Sequence, residues 1–142
     1  MHAVPAILAG CATLLCAAAP AAAEDPLALS KAVISQQIDA FLKDDADTAY
    51  SFAAPGIKAR FADKSAFFAM VKKSYGAIYR PGNYAFSRSK LVGDGSIVVH
   101  ELTISGQDGK NWKAFYKLSR QSDGHFKIDG VVILPDTVSR DI

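Results

Sequence analysis

The run Ser96-Ile97-Val98-Val99-His100-Glu101-Leu102-Thr103-Ile104-Ser105, closed by Gly106-Gln107-Asp108-Gly109, decides the fold. It is rich in β-branched residues, alternates in character and ends in a Gly-rich break, which is the pattern of a strand and its turn. Working outward, similar runs lie at about 83–91, 111–119 and 125–134. Gly93-Asp94-Gly95 and Ser122-Asp123-Gly124 separate the remaining pairs. Turns this short force antiparallel neighbours, so the four strands are expected to form a meander.

Parity assigns the faces. Tyr84, Phe86, Val98, Leu102, Ile104, Trp112, Tyr116, Leu118, Phe126, Ile128 and Val132 share one face, expected to be the core. Glu101, Thr103, Lys113, Lys117, Lys127 and Asp129 share the other. Ile97, Val99, Phe115, Val131 and Ile133 have that outer parity too, so the outer face is half apolar. Such a face suits a homodimer through Val99, Phe115 and Val131, or cover by a terminus or loop.

Before Pro81 the period is helical. Leu27, Ile34, Ile38, Phe41 and Leu42 recur near every 3.6 residues from Pro26 to Lys43, with Asp25 as the cap. Asp44 or Asp45 caps a shorter helix ending near Ala53, Pro55-Gly56 breaks the run, and a brief turn follows at 57–61. Asp63 opens a third helix through Tyr75, with Gly76 as its stop. Helices in one block and strands in the next predict an α+β fold, with three N-terminal helices on one face of a curved four-stranded sheet.

The whole chain has 142 residues, half of them apolar, with 16 Lys+Arg against 14 Asp+Glu. That balance excludes the basic footprint of a nucleic-acid binder, and the apolar content excludes intrinsic disorder. Every charged side chain lies from Glu24 onward. Residues 1–23 are an apolar, Ala-rich run ending in Ala21-Ala22-Ala23, which reads as a secretory signal peptide cut between Ala23 and Glu24. The expected organisation is therefore a signal peptide, 1–23, and one domain, 24–142, that is periplasmic or secreted and has no membrane contact once the signal is removed. A transmembrane anchor and a lipobox at Leu8-Ala9-Gly10-Cys11 are the competing readings. Beyond the signal the chain has no cysteine, which leaves no disulfide, thiol nucleophile or Cys-ligated metal.

Several stretches resemble a known family. They are Ile34-Ser35-Gln36-Gln37-Ile38-Asp39-Ala40-Phe41 with Asp44-Asp45, residues 50–55, residues 67–75 with Met70-Val71, and Tyr79-Arg80-Pro81. The later ones are Ala114-Phe115-Tyr116, Asp123-Gly124 and Ile128-Asp129-Gly130. Together they are similar to the small secreted bacterial proteins known as domain of unknown function 4864. The order of elements resembles the nuclear transport factor 2-like, cone-shaped α+β superfamily. The resemblance implies a fold and a cavity between helices and sheet. It implies no activity, because that superfamily holds isomerases, cyclases, dehydratases and non-catalytic modules alike.

Eight residues are candidates to line such a cavity: Tyr75, Tyr79, Arg80, Tyr84, Arg88, His100, Trp112 and Tyr116. Arg88 and His100 have the core parity of their strands, and the aromatic residues bring polar handles. The pocket they describe is aromatic and somewhat basic, suited to a small anionic or planar ligand. Five of them have a plainer reading: His100 as a bonded core histidine, Arg88 as a snorkelling strand end, Trp112 and Tyr116 as core formers, Arg80 as a surface or capping arginine. No Asp or Glu shares the core parity, so a general base would have to be His100, with a tyrosine as acid. The serines are scattered with no nucleophile-elbow spacing, no phosphate loop occurs, and no metal or cofactor is expected. The expected function is a non-enzymatic module binding a small ligand or a partner. The alternatives are a small cofactor-free isomerase or hydrolase using His100, and a structural homodimer subunit.

Overall fold

The structure, a computed structural model, describes residues 25–137 together with Ala3 and Gly10. Apart from those two residues, the expected signal peptide, its cleavage site at Ala23 and Glu24, and Cys11 lie outside the described residues. Five helices precede four strands: α1 (Pro26–Leu42), α2 (Ala46–Ser51), α3 (Pro55–Arg60), α4 (Lys64–Ser74), α5 (Gly76–Tyr79), then β1 (Pro81–Val92), β2 (Ile97–Gly106), β3 (Asn111–Arg120) and β4 (Phe126–Pro135). The expectation of three helices is corrected to five. The turn after Pro55 is a helix in its own right, and Gly76 opens a further short helix rather than ending the helical layer.

Asp side chains mark the helix starts. Asp25 Oδ1 accepts from Leu27 N at 3.0 Å, Asp45 from Thr48 N at 3.1 Å, and Asp63 from Ala66 N at 2.8 Å. Each satisfies a backbone donor that the first turn leaves free. Asp44 does something else. It ends α1 in the left-handed region, at φ 53°. There its amide donates to the Phe41 carbonyl at 3.1 Å, and Asp45 N donates to Ala40 O at 2.8 Å. These are the two bonds of a Schellman stop, with Asp where glycine is usual.

The strands form one open antiparallel sheet in the order β1-β2-β3-β4. The turns between them place Gly109 and Gly124 at positive φ, which glycine adopts without a Cβ penalty. At the outer edge of β4 the chain between α2 and α3 adds a single parallel bridge, Ala53 to Ile128. Ala54 N donates to Ile128 O and Ile128 N donates to Phe52 O, both at 2.8 Å.

Between the layers, Ile34, Ile38 and Phe41 of α1 meet Phe67, Phe68 and Val71 of α4, Ile78 of α5, and Leu102, Ile104, Tyr116, Leu118 and Ile128 of the sheet. Burying each large apolar side chain of this kind contributes about 1.5–3 kcal/mol.

Two bulges revise the faces. In β1, Phe86 pairs with Leu102 but Arg88 pairs with Glu101, so Ser87 is the extra residue. In β4, Ile128 pairs with Leu118 but Gly130 pairs with Lys117, so Asp129 is extra. One added residue reverses the parity beyond it. Arg88 therefore stands on the outer face, opposite Glu101, and not toward the core. Val131 and Ile133 pair with Tyr116 and Ala114 on the inner face, whereas Val132 pairs with Phe115 on the outer face and is 55% exposed. Val99 and Phe115 keep their outer positions, but Val131 does not share them.

Candidate functional site

A cavity of about 280 Å³ opens between the helical layer and the inner sheet face. Its walls are apolar and aromatic: Phe41 from α1, Ile57 from α3, Phe67 and Val71 from α4, Ile128 and Val131 from β4. They surround each other because α1 and α4 both turn an apolar stripe toward the sheet and Phe41 stacks between Phe67 and Phe68 at 6.3 and 5.9 Å. The hollow remains because α3, only 6 residues long, spans its far side with no buried residue.

Few polar groups reach this space. Gln37 is buried in the apolar stripe of α1 and donates through Nε2 to Ala49 O at 3.1 Å. Tyr75 donates to the Val131 carbonyl at 3.3 Å. Tyr116 is fully buried, and its hydroxyl has no hydrogen-bond partner among the described residues. Burial first, and then Tyr84, pushes its phenol above the usual range, so it is a neutral donor. Arg60 lines the opening and is exposed.

Of the eight candidate residues, Tyr75 and Tyr116 line this cavity. Arg80 and Trp112 line a second hollow of about 430 Å³ between the α4–α5 junction and the β2–β3 turn. Tyr79 and Arg80 are tied to the end of α1. Tyr79 donates to Asp44 Oδ1, Arg80 donates to the Phe41 carbonyl, and Arg80 Nη2 lies 2.8 Å from Asp44 Oδ2. The Tyr79 hydroxyl, then Arg80, hold the Asp44 carboxyl below its usual range. Tyr84 is half-buried against Phe86, edge to face at 6.2 Å. Arg88 pairs with Glu101 at 2.8 Å on the opposite side of the sheet.

His100 lines neither hollow. It is fully buried, with Nε2 2.6 Å from Ser30 Oγ and Nδ1 2.6 Å from Ser89 Oγ. The edge of its ring meets Phe86 at 5.7 Å. Burial, with the Lys31 charge as the smaller cause, lowers its pKa from 6.5 to about 4, so it is neutral near pH 7. Two serines, one at each ring nitrogen, are its partners.

Gln37, Arg60, Ser30 and Ser89 are absent from the sequence-derived candidates. Ser30 and Gln37 did carry a signal, since both interrupt the apolar stripe shared by Ile34, Ile38 and Phe41. Ser89 carried none, because only the bulge at Ser87 brings it round to the inner face.

These features define a small α+β domain, helices laid over one face of an open four-stranded sheet with a cavity between. A family model described as Domain of unknown function (DUF4864) matches residues 24–140, and the chain belongs to that family. Neither the curated proteins nor the solved structures include a match to it.

Proposed function

We propose that this domain is a binding module whose helix–sheet cavity holds a small, mainly apolar molecule without acting on it chemically. The observation that carries the reading is Tyr116: a buried hydroxyl with no partner, on a residue that lines the cavity. An unpaired buried hydroxyl costs roughly 1–3 kcal/mol, which a ligand acceptor would recover. The volume, about 280 Å³, lies at the small end of ligand pockets, and the wall is apolar with a few polar groups, as such pockets are. Exposed Arg60 at the opening favours an occupant with a negatively charged end, in keeping with a small anionic or planar ligand. The cavity between the layers also supports the nuclear transport factor 2-like reading of the fold. The Ala-rich leader supports export, to the periplasm or beyond the cell.

Native mass spectrometry of the protein, purified gently from its own host, tests this reading. The expected spectrum is a chain beginning at Glu24 with a retained small molecule. That molecule should be lost in Ile57→Trp, which fills the opening. A bare chain in wild type, with no thermal shift from small aromatic or aliphatic carboxylates, would overturn the binding reading.

A second reading rests on the outer sheet face. Val132 and Leu134 are 55% and 50% exposed there, beside half-buried Val99 and Phe115. That apolar surface supports a homodimer, and the mass of the same native ion decides it.

A further inference from the structure

Ser89, His100 and Ser30 stand in line on the β1 side of the sheet, in the cross-strand row that continues through Tyr116 and Val131 of the cavity. Ser89 is exposed, at the solvent end of the line; His100 and Ser30 are fully buried. The Ser30 hydroxyl lies 2.7 Å from the Pro26 carbonyl, to which it donates. Its lone pairs then face Nε2 of His100, so the ring proton sits on Nε2. That leaves the Nδ1 lone pair facing the Ser89 hydroxyl at 2.6 Å. A nucleophile, a base and a third group that orients the base are the parts of an activated serine.

We propose that Ser89 is a nucleophilic serine that accepts an acyl group from a small activated ester, with His100 as its base and Ser30 as a positioning residue. As Ser89 Oγ bonds to the carbonyl carbon, its proton passes to Nδ1. The tetrahedral adduct then collapses, the carbon–oxygen bond to the leaving alcohol breaks, and that alcohol takes the proton from Nδ1. Water repeats the sequence and releases the acid. Leu91, 45% exposed on the same face, and half-buried Phe86 give the acyl group an apolar bed. The Lys31 ammonium, 5.6 Å from the Phe86 ring centre, favours an ester that carries negative charge. Burial keeps His100 neutral, so the Nδ1 lone pair is free at neutral pH, while the same burial makes the ring a weaker base.

The test is an alkyl fluorophosphonate probe, which labels activated serines with loss of fluoride, followed by peptide mass spectrometry. One adduct on Ser89 is expected, forming at least about 10²-fold faster than on the other exposed serines, the low end for general-base assistance. Ser89→Ala, an exposed change, should abolish it. Ser30→Ala should slow it about tenfold or more while the thermal transition stays cooperative. No adduct on Ser89, labelling spread evenly over exposed serines, or an unchanged rate in Ser30→Ala would overturn the assignment. The readout is at Ser89 and not in the cavity, so it stands apart from the binding reading.

Discussion

The carboxylate of Glu101 lies 2.8 Å from the guanidinium of Arg88 across the outer sheet face, yet the two differ sharply in exposure, 7% against 81%. Arg88 thus covers a carboxylate that also faces Lys113 at 3.7 Å and the Ser87 hydroxyl at 3.2 Å. Hydrogen bonding from Arg88 is the main cause that holds the Glu101 carboxyl below its usual range. Arg88→Ala should therefore raise the Glu101 midpoint toward that range. Carboxyl-carbon NMR titration of both proteins checks this, and an unmoved midpoint would contradict the pairing. A carboxyl lowered in the folded state stabilises it above the unfolded pKa and ceases to do so as pH falls through the folded value.

The histidine gives a sensitivity of the same sign, in a higher pH window. Unfolded, the ring takes a proton near pH 6.5; folded, near 4. Between those values the unfolded state binds more protons, so stability falls as pH falls. From pH 7 to pH 5 the loss should be about 2 kcal/mol. Urea unfolding at the two pH values measures it, and His100→Gln should flatten this part of the profile.

Tyr116→Phe removes a hydroxyl that has no partner, so it should leave the ligand-free protein as stable or up to about 1 kcal/mol more stable. The same change should weaken retention of a cavity ligand. Thermal melts and native mass spectrometry of one preparation read both effects, and a loss of more than about 1 kcal/mol would show that the hydroxyl does have a partner.

Asp44 combines a left-handed backbone with a pair to Arg80 and Tyr79. Asp44→Gly keeps the backbone easy and loses the pair; Asp44→Ala loses both. Asp44→Ala should accordingly melt lower than Asp44→Gly. The reverse order in thermal denaturation would mean that backbone conformation matters little at this stop.

The chain order of helices and strands, the meander and the layer facing were legible because Gly-rich turns and a change of period mark them. Four strand ranges read from alternation fall within two residues of β1 to β4 at either end. Alternation could not show Ser87 and Asp129 as extra residues, since each sits in a run polar enough to hide a skipped step. Arg88, Val131, Val132 and Ile133 were assigned to the wrong sides for that single reason. For the site, Tyr75 and Tyr116 were legible as inward aromatics. Arg60 was not, because α3 is too short to show a face. Of the serines around His100, Ser30 showed only as a break in the apolar stripe of α1, and Ser89 not at all, since the bulge at Ser87 turns it inward.

The bridge from Ala53 to Ile128 bears on how the molecule behaves among its own copies. An open sheet has two edges whose free amides and carbonyls can template another strand. On the β4 side, both backbone groups of Ile128 and the carbonyl of Val131 are already engaged, by the 52–54 segment and by Tyr75. On the β1 side, the Ser87 bulge and the charges of Arg88 and Lys90 make a poor template. A sheet that never closes into a barrel thus presents two poor templates for edge-to-edge pairing, which disfavours fibre growth and leaves association through the outer face untouched.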